Sequence, residues 1–229
     1  TRYIGDWSSD VCSSDLQFME FLDAGGYRTR SLWNRDDWNW RRREQVDTPL
    51  YWKKIDGQWH ENRFGSWRVI RPWHPVCHVN LHEARAYCRF AKRRLPSEAE
   101  WEMAASWDPI AKQKRLYPWG DAAPTSKLVH MDLASGGSID VRAKAAGDSA
   151  LGCRQMIGNV WEWTSSKLTP YPGFEAGAYR EYSLPYLNKK PVLRGGAWAT
   201  SPGLIRSTWR NFFIKHRRNV FAGFRTCAL

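Results

Sequence analysis

Arg93-Arg94-Leu95-Pro96-Ser97-Glu98-Ala99-Glu100-Trp101-Glu102 opens a helix that can be read residue by residue. Ser97 is a cap, Glu100 three positions on closes a capping box, and Trp101, Ala104 and Ala105 then share one inward face. Just upstream the device recurs. Asn80 precedes Leu81-His82-Glu83, and Ala84, Tyr87, Cys88 and Ala91 line one side of the helix that follows. Between His74 and Val79, Pro75 blocks helix and predicts a short extended piece. Earlier still, Tyr51-Trp52-Lys53-Lys54, Asp56-Gly57 and Trp59 read as strand, turn and returning strand, because Asp-Gly supplies positive φ. Phe18, Phe21 and Leu22 keep helical spacing until Gly25-Gly26 stops it, and Leu32 to Arg43 sets Trp33, Trp38 and Trp40 among charges. Beyond Trp107, Gly, Pro and Asp abound and periodic stretches are short. The pattern predicts an α+β domain with two central helices and much irregular structure.

Composition sets the outer bounds. The chain has 229 residues, 42% hydrophobic and 25% charged, which excludes wholesale disorder. No stretch approaches the roughly 20 apolar residues of a membrane helix, and the mean hydropathy of −0.63 agrees. Fifteen tryptophans imply much planar surface, either buried or lining a cleft. The net charge of +12 invites a nucleic-acid reading, yet it is scattered in short runs such as Arg41-Arg42-Arg43 and Lys189-Lys190. Solvated surface, or a site for a small anion, fits better, so neither nucleic acid nor membrane is expected as a partner. The five cysteines, Cys12, Cys77, Cys88, Cys153 and Cys227, show no metal-ligand spacing. They read as reduced thiols, and with no signal-peptide pattern the expected location is cytoplasmic. Residues 1–16 lack periodicity, and WSSDVCSSDL at 7–16 resembles read-through of a sequencing adapter. That segment is expected to be non-native or disordered, leaving the domain at 17–229.

Five ordered motifs carry a resemblance. They are the stretch Arg93–Glu102, Tyr117-Pro118-Trp119-Gly120, Gly158-Asn159-Val160-Trp161-Glu162-Trp163, Leu193-Arg194-Gly195-Gly196-Ala197-Trp198, and Phe221-Ala222-Gly223-Phe224-Arg225. Together they resemble the formylglycine-generating enzyme (sulfatase-modifying factor) superfamily, which implies a C-type-lectin-like FGE-sulfatase fold. Members often hold calcium near the third motif, at the counterpart of Glu162. The resemblance therefore implies a Ca2+ site from Glu162 with the carbonyls of Gly158 and Val160, an oxygen-only set. Pairing of Glu162 with a buried arginine is the alternative.

The copper-dependent branch places two cysteines after the Arg-Gly-Gly motif, and residues 199–210 hold none. Other stretches resemble the ergothioneine-synthase branch (EgtB), which includes the selenoneine synthases (SenA). They are Gly25-Gly26-Tyr27-Arg28, Pro49-Leu50-Tyr51-Trp52, Pro170-Tyr171-Pro172-Gly173-Phe174 and Arg210-Asn211-Phe212-Phe213. That branch uses non-heme Fe(II) and O2 to join sulfur or selenium to hercynine, the trimethylated histidine. Its iron sits on three histidines of an N-terminal DinB-like domain, which this sequence lacks. The implied role of the chain is the C-terminal substrate-binding half, inactive alone. A non-catalytic binding module on the same scaffold is the rival.

The resemblance also implies site residues. Asn211, Phe212 and Phe213 fall where relatives taking γ-glutamylcysteine carry an aspartate for its amine. An aromatic there points instead to cysteine or a selenosugar as donor. Arg217 and Arg218 match a carboxylate clamp, or else form salt bridges. Trp198 and Trp209 are candidates for the quaternary ammonium, or core residues. Tyr171 is the phenol nearest to Leu168, where relatives place a proton donor; packing is its other reading. His74, His78 and His82 are spaced by four, but Pro75 breaks the helix that would align them, so a surface or loop role is expected.

Overall fold

A computed structural model describes residues 12–229. It opens with helix α1, Asp15–Asp23, which begins earlier than the sequence suggests. Ser14 accepts from the Gln17 N–H, and the Gln17 side chain accepts from the Ser14 N–H, so a capping box forms there. Ser13 bonds to the backbone of Phe224 and Val76. Residues 12–16, expected to be non-native or disordered, thus belong to the packed domain, while 1–11 lie outside the described residues.

Helix α2, Arg35–Arg43, follows with Asn34 as its cap. Strands β1, Trp52–Ile55, and β2, Gln58–Arg63, meet as predicted at Asp56-Gly57, whose φ values of 47° and 80° make the primed turn. A third strand, β3, Ser66–Val69, was not anticipated. The chain reverses at Phe64-Gly65 because Asn62 Oδ1 accepts from the Gly65 N–H at 2.9 Å.

Helices α3, Leu81–Phe90, and α4, Glu98–Ser106, carry the two predicted capping boxes, at Asn80/Glu83 and Ser97/Glu100. Trp101, Ala104 and Ala105 of α4 pack on Cys153 and Met156. Ser97→Ala is expected to cost ~1 kcal/mol, seen as a melting temperature lower by about 2–4 °C. An unchanged melting curve would show that the cap is dispensable. A short hairpin joins β4, Trp107–Asp108, to β5, Gln113–Lys114.

A four-stranded sheet forms the centre, in the order β8-β7-β6-β9. Its strands are β6, Trp161–Lys167, β7, Pro191–Arg194, β8, Arg210–Phe212, and β9, Ala222–Gly223. Only the β6–β9 pair is parallel among the described strands. The four-residue helix α5, Arg180–Ser183, lies between β6 and β7. The described residues therefore hold five α-helices, the two expected central ones, α3 and α4, together with α1, α2 and α5. Phe18, Phe21, Tyr87, Trp163, Leu193 and Phe224 fill the core between α1, α3 and the sheet.

After β7 the chain must pass close to a neighbour. Gly195 has φ 91°, and a Cβ there would sit 2.6 Å from the Met156 carbonyl oxygen. The preceding Arg194 is fully buried and reaches Glu98 at 2.7 Å, Glu102 at 2.8 Å and the Ser207 carbonyl at 2.6 Å. Arg210 binds the same Glu98 through Nε and Nη2. Helix α4 is thereby tied to the sheet by charge as well as by packing. Among the described residues no helix is long and apolar enough to cross a membrane.

Candidate functional site

A cleft of about 370 Å³ opens beside the β2–β3 turn. Five Phe, Tyr and Trp rings line it: Tyr51, Trp52, Phe64, Trp198 and Phe221. Trp198 and Phe221 meet with centroids 4.7 Å apart, and Phe64 stands edge-on to Trp198 at 6.2 Å. Glu61 and Arg63, paired at 2.6 Å, form a polar wall whose charges cancel. His78 also faces the cleft, with Nδ1 3.2 Å from the Arg218 carbonyl oxygen. Because a carbonyl only accepts, Nδ1 carries the proton. Burial, helped by the nearby cations of Arg63 and Arg218, pushes this imidazole down to about 4 against the bond to the carbonyl, so it is neutral at pH 7. The adjacent Cys77 thiol is pushed up by burial and is a poor nucleophile.

The two neighbouring arginines part company here. Arg218 turns inward, donating to Glu83 at 2.9 Å and to the Thr48 carbonyl. Glu83 is fully buried and also accepts from the Tyr27 hydroxyl at 2.6 Å. Arg218 is therefore occupied in a salt bridge, one of its two readings. Arg217 is exposed, lies over the Phe213 ring at 5.0 Å and donates to Asn219 Oδ1 at 3.2 Å. Since Asn219 lines the cleft, Arg217 stands at its rim.

The other expected site residues are dispersed. Trp198 lines the cleft, whereas Trp209 packs half-buried against a cluster that includes Ile157 and Ile205. Asn211 bonds to the Phe212 N–H, and Phe212 packs on Tyr182 and Tyr186. Phe213 packs against the main core. Tyr171 is 55% exposed, lies under the Arg210 guanidinium and is not part of the cleft wall, while Leu168 is buried.

Glu162 is engaged in the same way. Both Glu162 oxygens are taken, by Arg225 at 2.6 and 2.9 Å and by the Trp101 indole at 2.7 Å. The Gly158 N–H bonds to the Gly195 carbonyl, and Val160 is buried beside Val141. The residues present do not fit a cation, because the one carboxylate already neutralises a buried arginine. Burial works against that guanidinium's charge, yet Glu162 holds Arg225 above its usual value.

Of the three histidines, His74 and His78 lie in a loop but are not surface groups. His74 is buried with Nδ1 3.1 Å from Ser138 Oγ. His82 lies inside α3, bonds to Asp37 and stacks on Trp40 at 4.8 Å. Among the described residues no three His, Cys, Asp or Glu side chains group to hold a metal. Sequence reasoning passed over Tyr51, Phe64 and Phe221 as cleft residues, since they come from segments that only the fold brings together.

Residues 9–228 match the sulfatase-modifying factor enzyme 1-like domain. The chain is 42% identical over 217 residues to the hercynine oxygenase of Mycolicibacterium thermoresistibile, covering 93% of this chain and 48% of that protein. It is 40% identical over 210 residues to the hercynine oxygenase of Mycobacterium tuberculosis, covering 91% and 49%. The chain thus spans about half the length of these curated relatives. Among solved structures, PvdO from Pseudomonas aeruginosa shares the fold, with a TM-score of 0.54 at 19% identity, covering 83% of this chain and 75% of that one.

Proposed function

Because the chain belongs to the sulfatase-modifying factor enzyme 1-like domain family, we propose that it is the substrate-binding half of a hercynine oxygenase-type enzyme on a C-type-lectin-like scaffold. The observation that carries this reading is identity of 42% sustained over 93% of the chain. In the full enzyme, Fe(II) on a DinB-like domain in cis would supply O2 activation for C–S or C–Se bond formation. This chain would contribute binding and orientation. Its setting is cytoplasmic, which suits five free thiols.

The cleft fits a betaine head. Aromatic faces at Trp198 and Phe221 attract a trimethylammonium group, and Arg217 at the rim offers a carboxylate two parallel donors. Phe213, beneath the Arg217 guanidinium, puts an aromatic ring where relatives taking γ-glutamylcysteine carry an aspartate, which favours cysteine or a selenosugar as donor. Tyr171, exposed and outside the cleft wall, is the proposed proton donor.

The full-length enzyme with Fe(II), O2 and hercynine should be offered cysteine, γ-glutamylcysteine and selenosugar in parallel. Product is expected with cysteine or selenosugar, and Trp198→Ala or Arg217→Ala should raise the hercynine KM roughly tenfold with kcat less affected. Product with γ-glutamylcysteine alone would overturn the role given to Phe213.

A further inference from the structure

Asp15 stands apart from the other groups around the cleft. It is the first residue of α1, held by its own N–H to the His74 carbonyl oxygen at 2.7 Å. Its side chain lines the cleft, and the residue is only 4% exposed. Among the described residues no donor or cation meets its carboxyl oxygens. Nor are they sealed in the interior, as the unpaired Asp37 Oδ2 and Gln155 Oε1 are, so the cleft is where they open. The nearby guanidinium of Arg63 is engaged elsewhere. It pairs with Glu61 at 2.6 Å and lies against Gly137, where an added Cβ would come within 2.6 Å of its Nη1. Cys77 and His78 add no charge, for the reasons given above. Two carboxyl groups therefore face one guanidinium. Burial, with Glu61 beside it, pushes the Asp15 carboxyl well above the usual carboxylate range, against the pull of Arg63. An unmatched acid among aromatic walls calls for a cation that brings N–H donors on an apolar body.

We propose that the cleft binds a primary ammonium group carried on a small apolar body, with Asp15 as the carboxylate that receives it. On binding, the Asp15 O–H bond breaks, its proton passes to solvent, and the ligand's N–H donates to the carboxylate left behind. The ion pair forms largely out of water, which strengthens it. The start of α1 at Asp15 favours the ionised acid in the same direction. The inference goes beyond the hercynine reading, because a quaternary head carries no N–H for Asp15. An amine seated there would compete with a betaine head for the cleft.

The test is calorimetric titration of the purified chain at about pH 6, in two buffers of different ionisation enthalpy, so that proton release on binding is read directly. Butylammonium, butyltrimethylammonium and 1-butanol are titrated separately. Butylammonium is expected to bind saturably and to release protons into the buffer. Its quaternary analogue, which has no N–H, should bind roughly three- to tenfold more weakly. The uncharged alcohol should release no proton. Asp15→Asn keeps the shape of the side chain and removes its charge. That variant should bind butylammonium about tenfold more weakly or worse, release no proton, and melt no lower than the wild type, since the carboxyl has no partner to lose. Should it fail to fold, the wild-type comparison of ammonium with alcohol decides. No saturable binding of butylammonium, binding without proton release, or binding unweakened in Asp15→Asn overturns the role of Asp15. Tighter binding of the quaternary analogue, indifferent to Asp15→Asn, also overturns it and leaves the betaine reading standing. Butylammonium binding without any binding of the quaternary analogue supports Asp15 and counts against the trimethylammonium site instead.

Discussion

Replacing Glu162 with Gln is expected to lower the unfolding free energy by ~3–5 kcal/mol, because the Arg225 guanidinium would remain buried without its counter-charge. Glu162 and Arg225 are 1% and 3% exposed, so water cannot substitute for the lost carboxylate. The Trp101 indole would lose its ionised acceptor at the same time. For a chain of this size the change corresponds to a fall in melting temperature on the order of 10 °C. Thermal melts of both proteins with and without calcium test for a cation at Glu162 together with the ion pair. A resident cation would raise the melting temperature with its concentration. None is expected to do so. A calcium-dependent rise in the wild type that disappears in Glu162→Gln would restore the cation site.

Arg218→Ala should be nearly as damaging, for the same physical reason and with a functional consequence. It leaves the fully buried Glu83 with only the Tyr27 hydroxyl and the Asn80 N–H as named partners, at an expected cost of ~3 kcal/mol. The guanidinium also holds the Thr48 carbonyl and lies over Trp40, so it pins the segment that carries Arg217, Asn219 and Phe221. Its own carbonyl fixes the His78 ring. Faster hydrogen exchange across residues 213–221, with a weakened cleft, is therefore expected alongside the stability loss. A loss under ~1 kcal/mol would show that Tyr27 and Asn80 satisfy Glu83 alone.

What the sequence revealed was local, and what it concealed was distant. The capping boxes at Asn80 and Ser97 were legible because each partner lies three residues away. The Asp56-Gly57 turn was legible because its two residue types demand positive φ. The turn at Phe64-Gly65 lacks an Asn or Asp at its centre and was missed, and β3 with it. Glu83 and Arg218 meet across 135 residues, and Glu162 and Arg225 across 63; no spacing rule reaches that far. His78 was noticed for its spacing from His74 and His82. The left-handed backbone at 78 separates these residues into a loop and a helix, so the useful signal was the lone histidine after Pro75. Arg217 and Arg218 looked equivalent as neighbours, yet one is consumed by the core and the other stands at the rim.

Titrating hercynine into the purified 229-residue chain, with the Trp198 indole and the Arg217 guanidinium as NMR reporters, addresses the binding role most directly. Saturable shifts of both signals that are abolished by Trp198→Ala are the predicted result. Absence of saturable binding, or binding that survives Trp198→Ala unweakened, would contradict it.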